Sequence, residues 1–357
     1  MVRVMVIFGG RSGEHGVSLV SARAIIDALR ERYEVLPVGI TQEGAWLSSD
    51  DPMRELQSRA RELAGGHTET GKSSNGLVAN SIPASRKLPV DLASVDVVFP
   101  VLHGPYGEDG TIQGMLELAD IPYVGSGVLA SAVGMDKVTM KKIFAFHDLP
   151  QVKWLGLTRK EWKENEERWI KEIETSLGYP CFVKPSNLGS SLGINKATNT
   201  GELTNALNIA AELDRRLIVE QGVDAREIEV SALGNEEVEV SIPGEVVVSE
   251  HEFYDYEAKY TEGGCKVVAP AQIPDEVVTE LRHVARAAYE AIDAAGMARV
   301  DFFLERPTGR LLLNEINTIP GFTPTSVYAS LWAASGLPYE QLLDRLIALA
   351  LERHGAC

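Results

Sequence analysis

The sequence predicts an α/β protein, α+β in part, and three stretches carry that reading. Residues 2–8 form an apolar run that breaks into Gly9 and Gly10 and then into amphipathic spacing to about Leu29. That pattern is a buried parallel strand, a glycine loop and a helix. Residues 95–102 repeat the plan, ending in His103-Gly-Pro-Tyr-Gly-Glu-Asp-Gly110 before a helix over 111–118. Residues 299–321 read differently. Two apolar runs, 300–304 and 311–316, flank Pro307-Thr308-Gly309, the signal of a β-hairpin.

Taken in order, the glycine loop after the first strand (GGRSGEHGVS) offers backbone N–H groups and a helix N-terminus to an anion. Its spacing is not the G-x-G-x-x-G of dinucleotide folds, and it carries Glu14 and His15. Glu14 suits a substrate ammonium; it also suits the plain role of an acid at a helix N-terminus. A second strand is expected over 33–40, then a helix and a variable surface excursion, with an insertion at about 64–87. Gly66-His-Thr-Glu-Thr-Gly71-Lys72-Ser73 fits the P-loop pattern letter for letter. It lacks the apolar strand before and the helix after that a working P-loop needs, so chance is the better reading.

His103 stands where a strand gives way to a glycine turn, a position for a structural hydrogen bond or for a site residue. A short strand is expected over 121–124. Near Met135 the pattern changes and a domain boundary is placed there. A helix over 137–146, a strand over 152–155 and one charged helix to about Leu177 follow. Then comes FVKPSNLGSSLGI (182–194), a lysine-bearing strand and a glycine-serine loop. That layout grips and covers phosphates; it also describes an edge strand with a flexible turn. Strands are expected over 217–220, 226–233 and 238–248. An aromatic, charged, glycine-ended segment, 253–264, suits a lid. Amphipathic helices are expected over 274–295 and 339–353.

The hairpin is the chemical centre. Alternation puts Arg299, Asp301 and Phe303 on one face, and Leu311, Leu313, Glu315 and Asn317 together on a face of the second strand. Asp301, Glu315 and Asn317 offer only oxygen ligands, the hard set that suits Mg2+ held with a nucleotide's phosphates. Arg299 adds a fixed positive fork. Solvated acidic ends are the commoner reading of any single carboxylate, but three oxygen ligands and an arginine tip the balance to a metal-phosphate site.

The chain has 357 residues, enough for two or three domains. No apolar run approaches the ~18 residues of a membrane helix, and the apolar start is a first strand rather than a signal peptide. Three cysteines, odd in number and without metal-ligand spacing, favour a reducing cytoplasm. A net charge of −17 argues against nucleic acid or an anionic membrane as partner.

Six motifs in order resemble the D-alanine–D-alanine ligase family of the ATP-grasp superfamily over essentially the whole length: 9–18, 102–114, 122–137, 182–194, 254–260 and 299–326. The resemblance implies an ATP-grasp fold of three domains, 1–135, 136–233 and 234–357. It implies ATP and two Mg2+ ions, with Mn2+ as a substitute, D-alanine as substrate and a homodimer. By matching motif, Lys137 and Lys184 contact ATP phosphates, covered by Gly189, Ser190 and Ser191. Lys259 joins the lysines in offsetting charge. Glu220 and Val223 match the adenine hinge, Glu227 the ribose contact, and Asp301, Glu315 and Asn317 the metal ligands. Glu14, with His103 nearby, matches the acid for the first D-alanine's ammonium. Ser190 and Tyr260 join Glu14 in a network that fixes the lid. Arg299 and the N–H of Gly321 match the oxyanion contacts, and Ser326 the second D-alanine's carboxylate. Tyr260 favours a dipeptide product over D-alanyl-D-lactate.

Three readings outside this class are weaker. A P-loop NTPase rests on 66–73 alone. A nicotinamide-dependent oxidoreductase lacks the fingerprint spacing and an evident ribose-binding acid. A non-catalytic nucleotide-binding protein has no need of metal ligands, an oxyanion arginine and a lid together.

Overall fold

The computed structural model describes residues 1–47, 51–65, 94–189, 192–248 and 265–355. The P-loop-like match, most of the 64–87 insertion, Ser190, Ser191, Lys259, Tyr260 and the expected lid lie outside the described residues.

β1 (Arg3–Gly9) pairs in parallel with both β2 (Glu34–Ile40) and β3 (Val97–Val101), in the order β2-β1-β3. The central strand is apolar throughout because both its faces are covered. Val4, Val6 and Phe8 enter one core, Met5 and Ile7 another. α1 (His15–Leu29) and α2 (Pro52–Gly65) flank this sheet, and α3 (Thr111–Leu118) follows β3. The strand expected over 121–124 is a single parallel bridge, Val98 to Tyr123. Pro122 has no N–H to extend a ladder, and Gly125, at φ +98°, turns the chain into α4 (Val128–Met135).

A second, antiparallel sheet has the order β4 (Trp154–Thr158), β7 (Arg216–Gln221), β5 (Cys181–Pro185), β6 (Asn195–Ala197). α5 (Lys137–Phe146) leads into it, N-capped by Asp136, which accepts from Thr139 N–H at 2.8 Å. The one charged helix expected to about Leu177 is two, α6 (Arg159–Glu164) and α7 (Glu166–Ser176). They part at Asn165, a residue type whose side chain competes for backbone groups. α8 (Thr200–Leu213) covers β5 and β6.

The third sheet runs β11 (Cys265–Val268), β10 (Gly244–Val248), β8 (Ala225–Gly234), β12 (Gly296–Glu305), β13 (Leu311–Asn317), with β9 (Glu239–Val240) beside β8. The chain passes from the second sheet to the third between Gln221 and Ala225, ahead of the division expected at 233. α9 (Asp275–Ala291) packs on this sheet through Leu281, Val284, Ala285 and Ala288. α10 (Val327–Ala334) and α11 (Tyr339–Arg353) return to the first sheet. Tyr328, Leu342, Leu346 and Ile347 share a core with Val4, Phe8 and Val97.

The hairpin β12–β13 forms as expected, with one correction. Arg299 pairs with Asn317 and Asp301 with Glu315, but Phe302 then pairs with Leu313, so Asn314 is an extra residue in a β-bulge. The shift changes sides. Leu311 and Leu313 do not share a face with Glu315 and Asn317; they join Val300, Phe302 and Ile316 in the core. One inserted residue lets the strand bury its leucines while both polar residues remain beside Arg299 and Asp301.

Candidate active site

A cavity of about 960 Å³ opens where the loops after β1 and β3 meet the polar end of the hairpin and the entry to α10. It brings together Glu14, His103, Lys137, Gly189, Arg299, Glu315, Asn317, Gly321 and Ser326. Among the residues singled out in the sequence, Lys184, Glu220, Val223, Glu227 and Asp301 stand outside its lining.

Glu14 begins α1, where the helix dipole favours a carboxylate. Two glycines make room for it. A Cβ on Gly104 would lie 2.7 Å from Glu14 Oε2, and one on Gly189 would lie 2.8 Å from the same oxygen. Ser12 Oγ donates to His103 O at 2.5 Å and accepts from Glu14 N–H at 3.2 Å, so the two glycine loops are pinned together. His103 is buried, and its Nδ1 donates to Ile319 O at 3.0 Å, which leaves Nε2 as the acceptor in the neutral ring. Nε2 has no hydrogen-bond partner among the described residues. Burial opposes protonation of the ring, but Glu108 and, farther off, Glu14 outweigh it and raise the His103 pKa.

At the hairpin, Arg299 forks onto Asp301, Nε to Oδ1 at 2.7 Å and a terminal nitrogen to Oδ2 at 2.6 Å. Its Nε also lies 2.9 Å from Glu229 on β8. Lys137 Nζ donates to Leu188 O at 2.9 Å and lies 3.8 Å from Glu315. Among the described residues, no three His, Cys, Asp or Glu side chains are placed to hold a metal ion. Two carboxylates and the Asn317 amide oxygen are a set that suits Mg2+ only when phosphate oxygens complete its shell. Asp301 must share its oxygens with Arg299 to serve.

Behind Lys137 lies a group that sequence reasoning found only in part. Glu220, buried on β7, sits between Lys184 Nζ at 2.5 Å and Lys141 Nζ at 3.1 Å. Burial opposes its ionisation, but the two ammonium groups hold its carboxyl down at about 2. Burial lowers Lys141 below its ordinary value. Lys184 is raised despite burial, because Glu220 and then Glu315 favour its charge. Glu220 therefore presents its carboxylate to lysines. Lys141 and Glu229 were missed; the available signal for Lys141 was its i+4 spacing from Lys137 on one helix face.

At the opposite end, Ser326 stands at the N-cap position of α10, and its Oγ accepts not from the helix but from Thr323 N–H, at 2.9 Å. Gly321 leaves the backbone open there: a Cβ would meet only Ser326 Oγ, at 3.6 Å. A helix N-terminus with a hydroxyl at its mouth is an anion-receiving end.

Two family models match the chain, D-ala D-ala ligase N-terminus over residues 3–126 and D-ala D-ala ligase C-terminus over residues 143–348. A D-alanine–D-alanine ligase of Heliobacterium modesticaldum is 51% identical over 355 residues, covering 98% of this chain and 95% of the relative. One of Geobacillus thermodenitrificans is 47% identical over 360 residues, covering 99% and 96%. Among solved structures, a D-alanine–D-alanine ligase from Coxiella burnetii superposes with a TM-score of 0.80 at 34% identity, covering 99% of this chain and 95% of that one. A D-Ala:D-Ser ligase from Enterococcus faecalis gives 0.79 at 35% identity, covering 98% and 99%.

Proposed function

The chain belongs to the D-alanine–D-alanine ligase family, and we propose that it joins two D-alanine molecules at the expense of ATP, supplying D-alanyl-D-alanine for peptidoglycan precursors. The observation that carries this reading is one cavity with a carboxylate (Glu14) at one loop, an arginine and oxygen ligands at the hairpin, and a helix N-terminus beyond.

Glu14 receives the first D-alanine's ammonium, with His103 beside it, and so aims the carboxylate at the hairpin. A carboxylate is a poor acyl donor. Its oxygen attacks the γ-phosphorus of ATP, the bond to the β-phosphate oxygen breaks, and ADP leaves an acyl phosphate. Lys137 and Lys184 neutralise phosphate charge, and Gly189, Ser190, Ser191 and Lys259 are assigned to the same phosphates. Glu220 and Val223 lie at the adenine hinge and Glu227 at the ribose. Asp301, Glu315 and Asn317 would hold Mg2+, which would supply charge to offset the repulsion between phosphates and carboxylate. Ser326 and the α10 N-terminus take the second D-alanine's carboxylate. Its neutral amine attacks the acyl carbon, and Arg299 and the N–H of Gly321 hold the oxyanion. The tetrahedral species loses phosphate as the amine gives up a proton. Tyr260, with Ser190 and Glu14, closes the lid and excludes water.

A homodimer and a cytoplasmic location complete the proposal; among the described residues no helix is long and apolar enough to cross a membrane. A second reading keeps the chemistry and changes the acceptor, to a D-hydroxy acid or another D-amino acid, and the D-Ala:D-Ser relative favours it. The test is phosphate release with ATP and D-alanine, alone and with D-serine or D-lactate, with products identified by mass. D-Alanyl-D-alanine as the main product supports the first reading and a mixed product the second. Absence of turnover with any D-amino acid overturns both.

A further inference from the structure

Lys141 has no part in the chemistry above, yet its side chain is 1% exposed and it ends at two other elements. On one side its Nζ lies 3.1 Å from Glu220 Oε1 on β7 of the second sheet. The other oxygen of that carboxylate lies 2.5 Å from Lys184 Nζ on β5. On the other side Lys141 Nζ donates to the carbonyl of Asn314 at 3.1 Å. Asn314 is the extra residue of the β13 bulge, directly before Glu315. The helix that carries Lys141 also carries Lys137 one turn earlier.

We propose that Lys141 is a positioning residue for the nucleotide site: one buried ammonium fixes Lys184 through Glu220 and fixes Glu315 through the bulge carbonyl. The physical case is an accounting of buried charge. Glu220 faces two ammonium groups, and without Lys141 its whole charge would fall on Lys184, already in contact with it, holding that ammonium against the pull of an incoming phosphate. The bulge carbonyl would lose its donor, and a bulge is a soft point in a ladder, so Glu315 would lose its fixed aim. The second and third sheets would then hold their phosphate and metal groups independently, where α5 now holds them together.

The inference rests on the reading that Lys184 and Glu315 serve ATP, and the experiment separates the two. Binding of Mg-ADP is measured by calorimetry, without turnover, for the full chain and for Lys141→Met and Lys141→Arg, beside the KM values for ATP and D-alanine. Lys141→Met should weaken Mg-ADP binding and raise the KM for ATP by about 10- to 100-fold, the usual cost of losing an outer-shell partner. The KM for D-alanine at the first site should stay within about twofold, and Lys141→Arg should recover part of the loss. If Lys141→Met fails to fold, Lys141→Gln, neutral but still carrying a donor in place of the ammonium, takes its place. The same loss of nucleotide binding is expected of it. A folded variant that binds Mg-ADP as the parent does overturns the proposal, as does an equal rise in both KM values. A parent that binds no adenine nucleotide overturns the functional reading beneath it.

Discussion

Gly104→Ala perturbs the proposed first-substrate site around Glu14 without removing any functional group. Gly104 has φ +74°, where an L side chain costs roughly 1–2 kcal/mol. Its new Cβ would lie 2.7 Å from Glu14 Oε2 and 3.0 Å from Ser12 Cβ. Of these neighbours, the carboxylate is the end of a flexible side chain and yields first, so the fold survives and Glu14 moves. A hydrogen bond to a charged group is worth about 1.5–3 kcal/mol, which predicts roughly a 10- to 150-fold fall in kcat/KM for D-alanine. The KM for ATP should hold within about twofold, since the lysines stand on other elements. The assay is initial-rate phosphate release with each substrate varied in turn, beside a thermal melt. Gly189→Ala crowds the same oxygen, at 2.8 Å, from a backbone that needs no positive φ, and so separates strain from displacement. A folded Gly104→Ala enzyme with unchanged D-alanine kinetics would refute the role given to Glu14.

Glu315→Gln should depress phosphate release severely and raise the Mg2+ concentration needed for half-maximal rate by about tenfold or more; near-normal release at ordinary Mg2+ would sink the metal assignment. Ser326→Ala should raise the KM for the second D-alanine by about tenfold with little change at the first site, read from the two phases of D-alanine dependence. The Glu220 carboxyl sits at about 2 in the folded chain against an ordinary 4.5. Its contribution to stability is therefore complete above 4.5 and is lost as pH falls from there towards 2. Thermal melts from pH 7 to pH 3 should show this as an acid slope that is shallower in Glu220→Gln.

Much of this site was legible because its signals are local. Strand, glycine loop and helix can be read at 2–29 and 95–118 from apolar runs and glycines alone, and Pro307-Thr308-Gly309 marks the hairpin turn. Most of what failed depends on a partner far along the chain. The period-2 rule cannot see an inserted Asn314, so it put Leu311 and Leu313 on the wrong face. Lys141 reads as a surface lysine in sequence; only the fold brings it to Glu220, seventy-nine positions on in the numbering, and makes it a buried charge. Glu229 was legible as part of an alternating strand, yet its approach to Arg299 needs the β8–β12 pairing. α10 drew no reading at all, since a short, almost wholly apolar helix has no polar face to betray its period.

Acceptor choice is the property that overall likeness is least able to decide. The chain superposes equally well on a ligase named for D-alanine and on one named for D-serine, with TM-scores of 0.80 and 0.79 at nearly the same identity. The two acceptors differ by one hydroxyl, so discrimination has to come from a few side chains. At the α10 end of the cavity the walls include Val17 of α1 and Val327, beside Ser326 and Ser330. α1 reaches this end because Ser21 Oγ accepts from Phe322 N–H at 3.2 Å. An apolar wall rejects an added hydroxyl by only about a hundredfold, whereas a site built to hydrogen-bond that hydroxyl rejects its absence far more strongly. Selectivity for D-alanine over D-serine near the first figure would mean that Val17 and Val327 face the acceptor's methyl group. A preference for D-serine would mean that Ser330 or a neighbouring threonine answers its hydroxyl.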